Sequence, residues 1–366
     1  MEALPDIVAV MVPVSVDGAY SYRVPAGMTV VRGSIVAVTL VGRLTLGVVW
    51  GVPKDNFAHN RLKDIERVYD APPLSDELLK LCDWVARYTL AAPGMVLRSV
   101  LRSSEALEPE RPVTAFRLTG HEPERMTDAR LRVLDCLADG QTWAKSALVG
   151  ASGVSPSVIE GLERAGALER LEIPPSPIVM PPDPEAGKFV LSADQQAALD
   201  QIRLGDPHEY SVNLLDGVTG SGKTEVFFEA MADTLRAGRQ GLILLPEIAL
   251  THTFLERFTR RFGTRPAEWH SDMTPAQRTR VWRGVLSGQV RAVVGARSSL
   301  FLPFRELGLI VLDEEHDGAF KQSDGINYHA RDMAVVRAHL ANARAILSSA
   351  TPSVESRNNA NTGRYR

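Results

Sequence analysis

The segment SVNLLDGVTGSGKTEVFFEA, starting at Ser211, constrains the fold more than any other. An apolar run ends at Asp216, a glycine-rich turn follows, and a helical pattern begins near Lys223. The turn fits G-x-x-x-x-G-K-[ST]: it opens on Gly217, contains Gly220, Ser221 and Gly222, and closes on Lys223 and Thr224. Glycines let several backbone N–H groups converge on one anion at a helix N-terminus. Lys223 would reach the outer phosphates, and the Thr224 hydroxyl would ligate Mg²⁺. Four further apolar runs, QGLILLPE, RAVVGA, LGLIVLDE and ARAILSSA, alternate with helical stretches. Their apolar residues are continuous rather than alternating, which predicts a parallel sheet covered on both faces.

A second element gives the phosphate loop a use. LIVLDEEHD is an apolar strand ending in Asp313-Glu314-Glu315-His316. Asp313 is placed to hold the Mg²⁺ that bridges the outer phosphates, and Glu314 to orient or deprotonate the attacking water. A third apolar run ends in Ser349-Ala350-Thr351, whose short hydroxyl side chains can link the phosphate site to a nucleic-acid track. The guanine-reading N-K-x-D of GTPases is absent, as is any kinase-like acceptor site or lid. Together these features predict hydrolysis of a nucleoside triphosphate.

Upstream, the sequence reads as a multidomain chain. Residues 1–106 form a small β-rich domain followed by a helix opened by Ser75, and residues 113–173 read as a winged-helix-like α/β domain of three short helices and a strand. Residues 174–187 (PPSPIVMPPDPEAG) form an extended proline-rich linker, and residues 188–366 form the RecA-like α/β P-loop lobe with its parallel sheet. The third helix of the middle domain carries Glu160 and Glu163, with Glu169 just beyond, and these would sit badly against phosphates. At 366 residues and net charge −3, bulk charge gives no nucleic-acid signature, and a motor gripping one narrow track needs only local cations. The two cysteines, Cys82 and Cys136, lie in apolar helical contexts and read as buried thiols of a reducing cytoplasm. The apolar N-terminus is interrupted by Pro5, Pro13 and Asp17 and has no basic start, so neither a leader nor a membrane span is expected there.

With DEEH and SAT together, the lobe resembles superfamily 2 helicases. LLPEIALT, VVGARSSLFLPF, LIVLDEEHDGAFKQ, YHARDMAVVRA and SSATPSVESRNNANTGRY are similar to the PriA (primosomal protein N′) family of bacterial replication-restart DNA helicases. VAVMVPVSVDGAYSYRVPAGM and RLKDIERV resemble that family's domain for 3′ DNA ends. The resemblance implies an ATP-dependent 3′-to-5′ DNA helicase, using ATP and Mg²⁺, that recognises stalled forks and starts replisome reloading. Its implied partners are forked and single-stranded DNA, primosome proteins and single-strand-binding protein; a cytoplasmic monomer is expected.

The same resemblance assigns residue roles. Gln195 would face the adenine. Thr251, Arg297 and Ser298 would contact the backbone of single-stranded DNA, with Ala296 standing where relatives often have threonine. GAFKQSDGINYHARD resembles the family's aromatic loop, in which Phe320, Tyr328 and His329 would stack on bases and Lys321 and Arg331 meet phosphates. Tyr20, Gly42 and Lys63 match the 3′-end pocket, near Arg43 and Arg61. There the family's aromatic–acid–tyrosine run is Tyr20-Ser21-Tyr22, so a neutral serine replaces the acid. The second motor lobe, with its transition-state arginine, and the zinc region of the family lie outside this sequence. The chain is therefore expected to be an N-terminal fragment with poor hydrolysis on its own and no zinc. The other reading is a non-catalytic fork- or single-strand-binding module bearing a nucleotide lobe.

Overall fold

Short runs of Val, Ile and Thr broken by glycine build five strands: β1 (Ile7–Met11), β2 (Tyr20–Arg23), β3 (Ile35–Leu40), β4 (Arg43–Gly51) and β5 (Ile65–Val68). The antiparallel order is β2-β1-β4-β3-β5. The Arg23 amide donates to the Lys63 carbonyl at 2.9 Å, and Arg23 bridges Asp64, so the two edge strands meet and the sheet closes into a barrel. Closure removes exposed strand edges that would otherwise pair with other chains. Val8, Val10, Val36, Val38 and Val49 fill the interior with Tyr22, whose hydroxyl donates to the Thr39 carbonyl at 3.3 Å. The structure, a computed structural model, describes residues 4–53, 62–102, 104–108, 110, 112–246 and 251–366.

Two helices follow, α1 (Asp76–Thr89) and α2 (Pro93–Val100). Ser75 occupies the N-cap of α1, but its hydroxyl turns to Glu77 Oε1 at 3.3 Å rather than to a helix amide. Residues 109–177 form a compact unit of their own. It contains β6 (Val113–Leu118), α3 (Asp128–Cys136), β7 (Trp143–Ala144), α4 (Lys145–Ser152), α5 (Pro156–Arg164) and β8 (Leu168–Ile173). Three helices pack on the antiparallel sheet β7-β6-β8 around Phe116, Val133, Leu148, Ile159 and Leu162, a winged-helix-like arrangement. Strand β6, which the three-helix sequence pattern does not reveal, lies at the sheet's centre. The acids of α5 and β8 are held by the unit's own bases: Glu160 by Lys145 at 2.6 Å and Glu169 by Arg117 at 2.7 Å.

The remaining elements are α6 (Ala193–Arg203), β9 (Ser211–Asp216), α7 (Lys223–Arg236), β10 (Gln240–Leu244), α8 (His252–Phe262) and β11 (Ala267–Trp269). Then come α9 (Pro275–Ser287), β12 (Ala292–Gly295), β13 (Leu307–Asp313), the short pair β14 (Lys321–Gln322) and β15 (Tyr328–His329), α10 (Ala330–Leu340), β16 (Arg344–Ser349) and α11 (Val354–Asn361). Six strands make a fully parallel sheet, β11-β12-β10-β13-β16-β9. Because β16 lies between β13 and β9, the loops after these three strands are neighbours at the sheet's carboxyl edge. Ligands of open α/β sheets bind at that edge.

The barrel, α1, α2 and the lobe form one compact unit, which also takes in the proline-rich segment from Ile178 onward. Leu78, Leu81 and Val85 of α1 and Leu97 of α2 share one apolar core with Val281, Trp282, Leu300 and Met333 of the lobe. The Trp282 indole donates to the Val100 carbonyl at 2.7 Å. Buried Arg261, paired to Glu229 at 2.6 Å, donates to the carbonyls of Pro184 and Ala186 and pins the proline-rich segment onto the lobe. That end of the segment is part of the lobe's wall rather than a free spacer. Cys82 is buried and burial pushes its thiol up, while Cys136 is half-buried; neither is in a disulfide. Among the described residues no helix is long and apolar enough to cross a membrane, and no cluster of His, Cys, Asp and Glu is placed to hold a metal ion.

Candidate active site

The phosphate loop leaves β9 and enters α7 through two left-handed glycines, Gly220 at φ 81° and Gly222 at φ 83°. A Cβ on Gly222 would lie 1.9 Å from Gln195 Nε2, so only glycine fits there. Gln195 carries two jobs. It completes a capping box with Ser192 at the start of α6, and its Nε2 donates to the Ser221 carbonyl at 3.0 Å. Both ends of the Gln195 amide are thus engaged in fastening α6 to the phosphate loop, beside which an adenine contact by Gln195 is expected. Gly222→Ala is expected to break this bond and strain the backbone by ~1–2 kcal/mol, lowering the urea midpoint and the affinity for nucleotide together; isothermal binding and unfolding measurements on one preparation check it.

Lys223 Nζ donates to the Gly217 carbonyl at 2.6 Å and the Val218 carbonyl at 3.2 Å, folding its ammonium over its own loop. Asp313, the last residue of β13, lies close enough to feel that charge. Burial pushes the Asp313 carboxyl above its ordinary range, opposed by a hydrogen bond from Ser348 Oγ at 2.7 Å, while Glu314 N also donates to it. Half-buried Thr224 stands at the second position of α7. A glycine-rich turn at a helix N-terminus, one ammonium and hard oxygen donors from Asp313 and Thr224 fit a magnesium nucleotide.

Ser349, at the end of β16, joins the other two loops. Its carbonyl accepts from Gly217 N at 3.2 Å, and its hydroxyl lies 2.7 Å from His316 Nδ1. Glu314 has a left-handed backbone, φ 52°, held by the Glu315 amide bonding Ser348 O and the Asp317 amide bonding Glu314 O. Such an outlier in a non-glycine residue points to a functional constraint.

Glu315 is a residue that sequence reasoning did not single out. It is fully buried and accepts from Ser353 N at 2.6 Å and from the hydroxyls of Ser353 and Ser356 at 3.0 Å. Arg331 completes its shell at 3.4 Å and also pairs with Asp332 and Glu355. Arg331 is thus paired with three carboxylates, a setting that its expected role as a phosphate contact does not require. The side chain braces the acidic loop against α11.

The expected stacking platform is likewise internal. Phe320 is 1% exposed and Tyr328 9%, the latter edge-on to Phe301 at 5.5 Å with its phenol pushed up to about 12 by burial. Neither ring has a face open to a base, because the loop folds its aromatics into the lobe's core. His329 caps α10 by accepting from Arg331 N, and burial, then the charge of Arg331, holds its imidazole below the ordinary range. Lys321 is exposed. Arg297 donates to the carbonyls of Ala319 at 2.7 Å and Lys321 at 2.9 Å, holding this loop in place. Exposed Ser298 accepts from the Trp269 indole, and exposed Thr251 caps α8. Glu247 to Leu250 of the PEIALT run lie outside the described residues.

On the barrel, Tyr20 is 41% exposed at the start of β2, whereas Tyr22 points inward. Gly42, φ 77°, is exposed in the β3–β4 turn. The Val38–Ile65 register puts exposed Lys63 alongside the Leu40 end of β3, toward that turn. Arg61 lies outside the described residues.

Residues 9–102 match the family described as the 3′ DNA-binding domain, and residues 192–360 match DEAD/DEAH box helicase. The replication restart protein PriA of Chlamydia pneumoniae is 33% identical over 377 residues, covering 97% of this chain and 50% of that protein. That of Haemophilus influenzae is 33% identical over 98% of this chain and 51% of its own length. That of Rickettsia felis is 54% identical over 153 residues, 42% of this chain and 24% of that protein. The chain spans about half the length of the curated relatives that match it throughout.

Proposed function

We propose that this chain, which belongs to the PriA family of replication restart proteins, supplies the ATP-binding lobe and the DNA-end-binding barrel of a 3′-to-5′ DNA helicase. That helicase would act at stalled or abandoned forks, where it starts replisome reloading with primosome and single-strand-binding proteins. The observation that carries this reading is Ser349, which bonds the phosphate loop through its carbonyl and the acidic loop through its hydroxyl. A change at the phosphates can thereby reach β16 and α11 without passing through solvent.

Bound Mg·ATP would supply an electrophilic γ-phosphorus with its charge partly neutralised. Lys223 would give up its two loop carbonyls for phosphate oxygens, Asp313 and Thr224 would hold the metal, and Glu314 would take the proton of the attacking water. Ordered hydrolysis then acts on a DNA track provided by exposed Thr251, Ser298 and Lys321. The test is ATP turnover by the intact protein with and without 3′-tailed duplex. Stimulation by DNA supports the motor, whereas tight fork binding with no turnover supports the non-catalytic module.

The barrel is expected to prefer a free 3′ end. One stacked base on Tyr20 contributes roughly 1–3 kcal/mol, so Tyr20→Ala should weaken binding of a free-3′-end oligonucleotide about 5- to 150-fold. Neutral Ser21 accepts a hydrogen bond from a terminal hydroxyl less strongly than a carboxylate would. Discrimination between 3′-hydroxyl and 3′-phosphate should therefore be modest. Anisotropy titrations with free, phosphorylated and duplex-buried 3′ ends measure this, and equal affinities unaffected by Tyr20→Ala would sink it.

A further inference from the structure

The segment after α2 carries a guanidinium that the fold leaves without an acceptor. Its backbone is fixed by neighbours on both sides: the Trp282 indole holds the Val100 carbonyl, and Arg283 donates to the carbonyls of Glu105, Ala106 and Glu108. Between these anchors Arg102 is half-buried, with its guanidinium 4.8 Å over the Trp269 ring. Its Nε is shut off from solvent, and among the described residues the group donates to no oxygen and meets no carboxylate. The neighbouring charge is of the same sign. Arg278 of α9 spends Nη2 on the carbonyls of His270 at 3.0 Å and Ser271 at 2.6 Å, and its Nε is likewise buried without a partner among the described residues. Burial, then repulsion from Arg278, holds the Arg102 guanidinium below its ordinary range. Two cations brought together with unfilled donors are costly unless an anion joins them.

The place of the pair identifies the anion. Trp269 ends β11 beside Gly295 at the end of β12, so the pair lies at the carboxyl edge of the parallel sheet. The acids close by in the chain are engaged: Glu268 with Arg265 at 3.0 Å, and Asp272 with the Ser271 hydroxyl at 3.3 Å. The Trp269 indole donates to Ser298 Oγ at 3.1 Å, and Ser298 is exposed. One indole thus links an exposed hydroxyl to the guanidinium pair. Guanidinium donors match phosphate oxygens, and such contacts hold a strand in place without reading its bases. We propose that Arg102 and Arg278 form a phosphodiester site that continues the single-strand track from Ser298 across Trp269. This rests on the reading that the lobe moves on single-stranded DNA, and it adds a contact supplied by the segment after α2.

The probe is a closed circle of oligo-dT, which has no end for the barrel to grip, titrated against the intact protein over a range of salt. Arg102→Met keeps an aliphatic stem on Trp269 and removes the charge. Affinity should fall about tenfold at low salt, the scale of one charge-assisted contact. The slope of log affinity against log salt should become shallower by about 0.7, the contribution of one phosphate on a single strand. Arg102→Lys should keep the wild-type slope, because it keeps the charge. The melting temperature of Arg102→Met should equal or exceed that of wild type, since a repelled cation is lost. A lowered melting temperature with the wild-type salt slope would make Arg102 a brace for Trp269 and overturn the proposal. Unchanged affinity and slope, while the circle still stimulates wild-type ATP turnover, would also overturn it and leave the motor reading in place. If the circle neither binds nor stimulates the wild type, both fail.

Discussion

Glu314→Gln is expected to lower DNA-stimulated ATP turnover of the intact protein by about 10²–10⁴-fold, the range for loss of a positioned general base. Nucleotide affinity should change little, because the substitution is nearly isosteric and leaves Asp313 and Lys223 in place. The geometry argues for this separation. Glu314 N donates to Asp313 Oδ1, and the amides of Glu315 and Asp317 tie the turn down on either side. The left-handed backbone at Glu314 therefore survives loss of the side chain's charge. Lys223→Ala behaves differently, weakening binding and turnover together, since its ammonium is aimed at the loop that receives the phosphates. Stopped-flow binding of a fluorescent nucleotide beside steady-state turnover distinguishes the two variants. Near-normal turnover by Glu314→Gln would remove it from the role of base.

The features that sequence made legible are those whose chemistry is local in the chain. The phosphate loop needs a strand before it and a helix after it, and the residues from Ser211 to Arg236 state both. Continuous apolar runs likewise announce β10, β12, β13 and β16, because a strand covered on both faces needs no polar side. Contacts made by folding were not legible. Glu315 reads as one acid among several, yet it is the buried member, and Arg331 reads as a free cation although three carboxylates enclose it. Phe320 and Tyr328 sit in a polar, glycine-containing stretch that looks like surface, and only the packing of Tyr328 on Phe301 shows where the aromatics point. What the helices after the barrel pack against was hidden in the same way. Their apolar faces complete a core with residues some two hundred positions later, such as Trp282 on Val100, and no periodicity within α1 names that partner.

The same junction yields the largest expected effect on stability. Arg337 on α10 is fully buried and pairs with Glu77 of α1 at 2.9 Å, while donating to the carbonyls of Leu300 and Leu302 and lying over the Phe304 ring. Removing one partner of a buried pair strands the other charge, so Glu77→Ala should cost about 3–5 kcal/mol. The melting temperature should fall by roughly 5–12 °C, given the size of the unit. The pair is imperfect, however. Glu77 Oε2 and Arg337 Nε are buried without hydrogen-bond partners among the described residues, so its net contribution over an apolar replacement is small. Replacing both partners together, Glu77→Leu with Arg337→Met, should therefore recover most of the loss. The carbonyls of Leu300 and Leu302 would lose a donor each, which sets the limit of that recovery. Differential scanning calorimetry on the wild type, both single variants and the double variant gives the coupling directly. A double variant no more stable than Glu77→Ala would mean that Arg337 holds the lobe through its carbonyl bonds rather than through the ion pair.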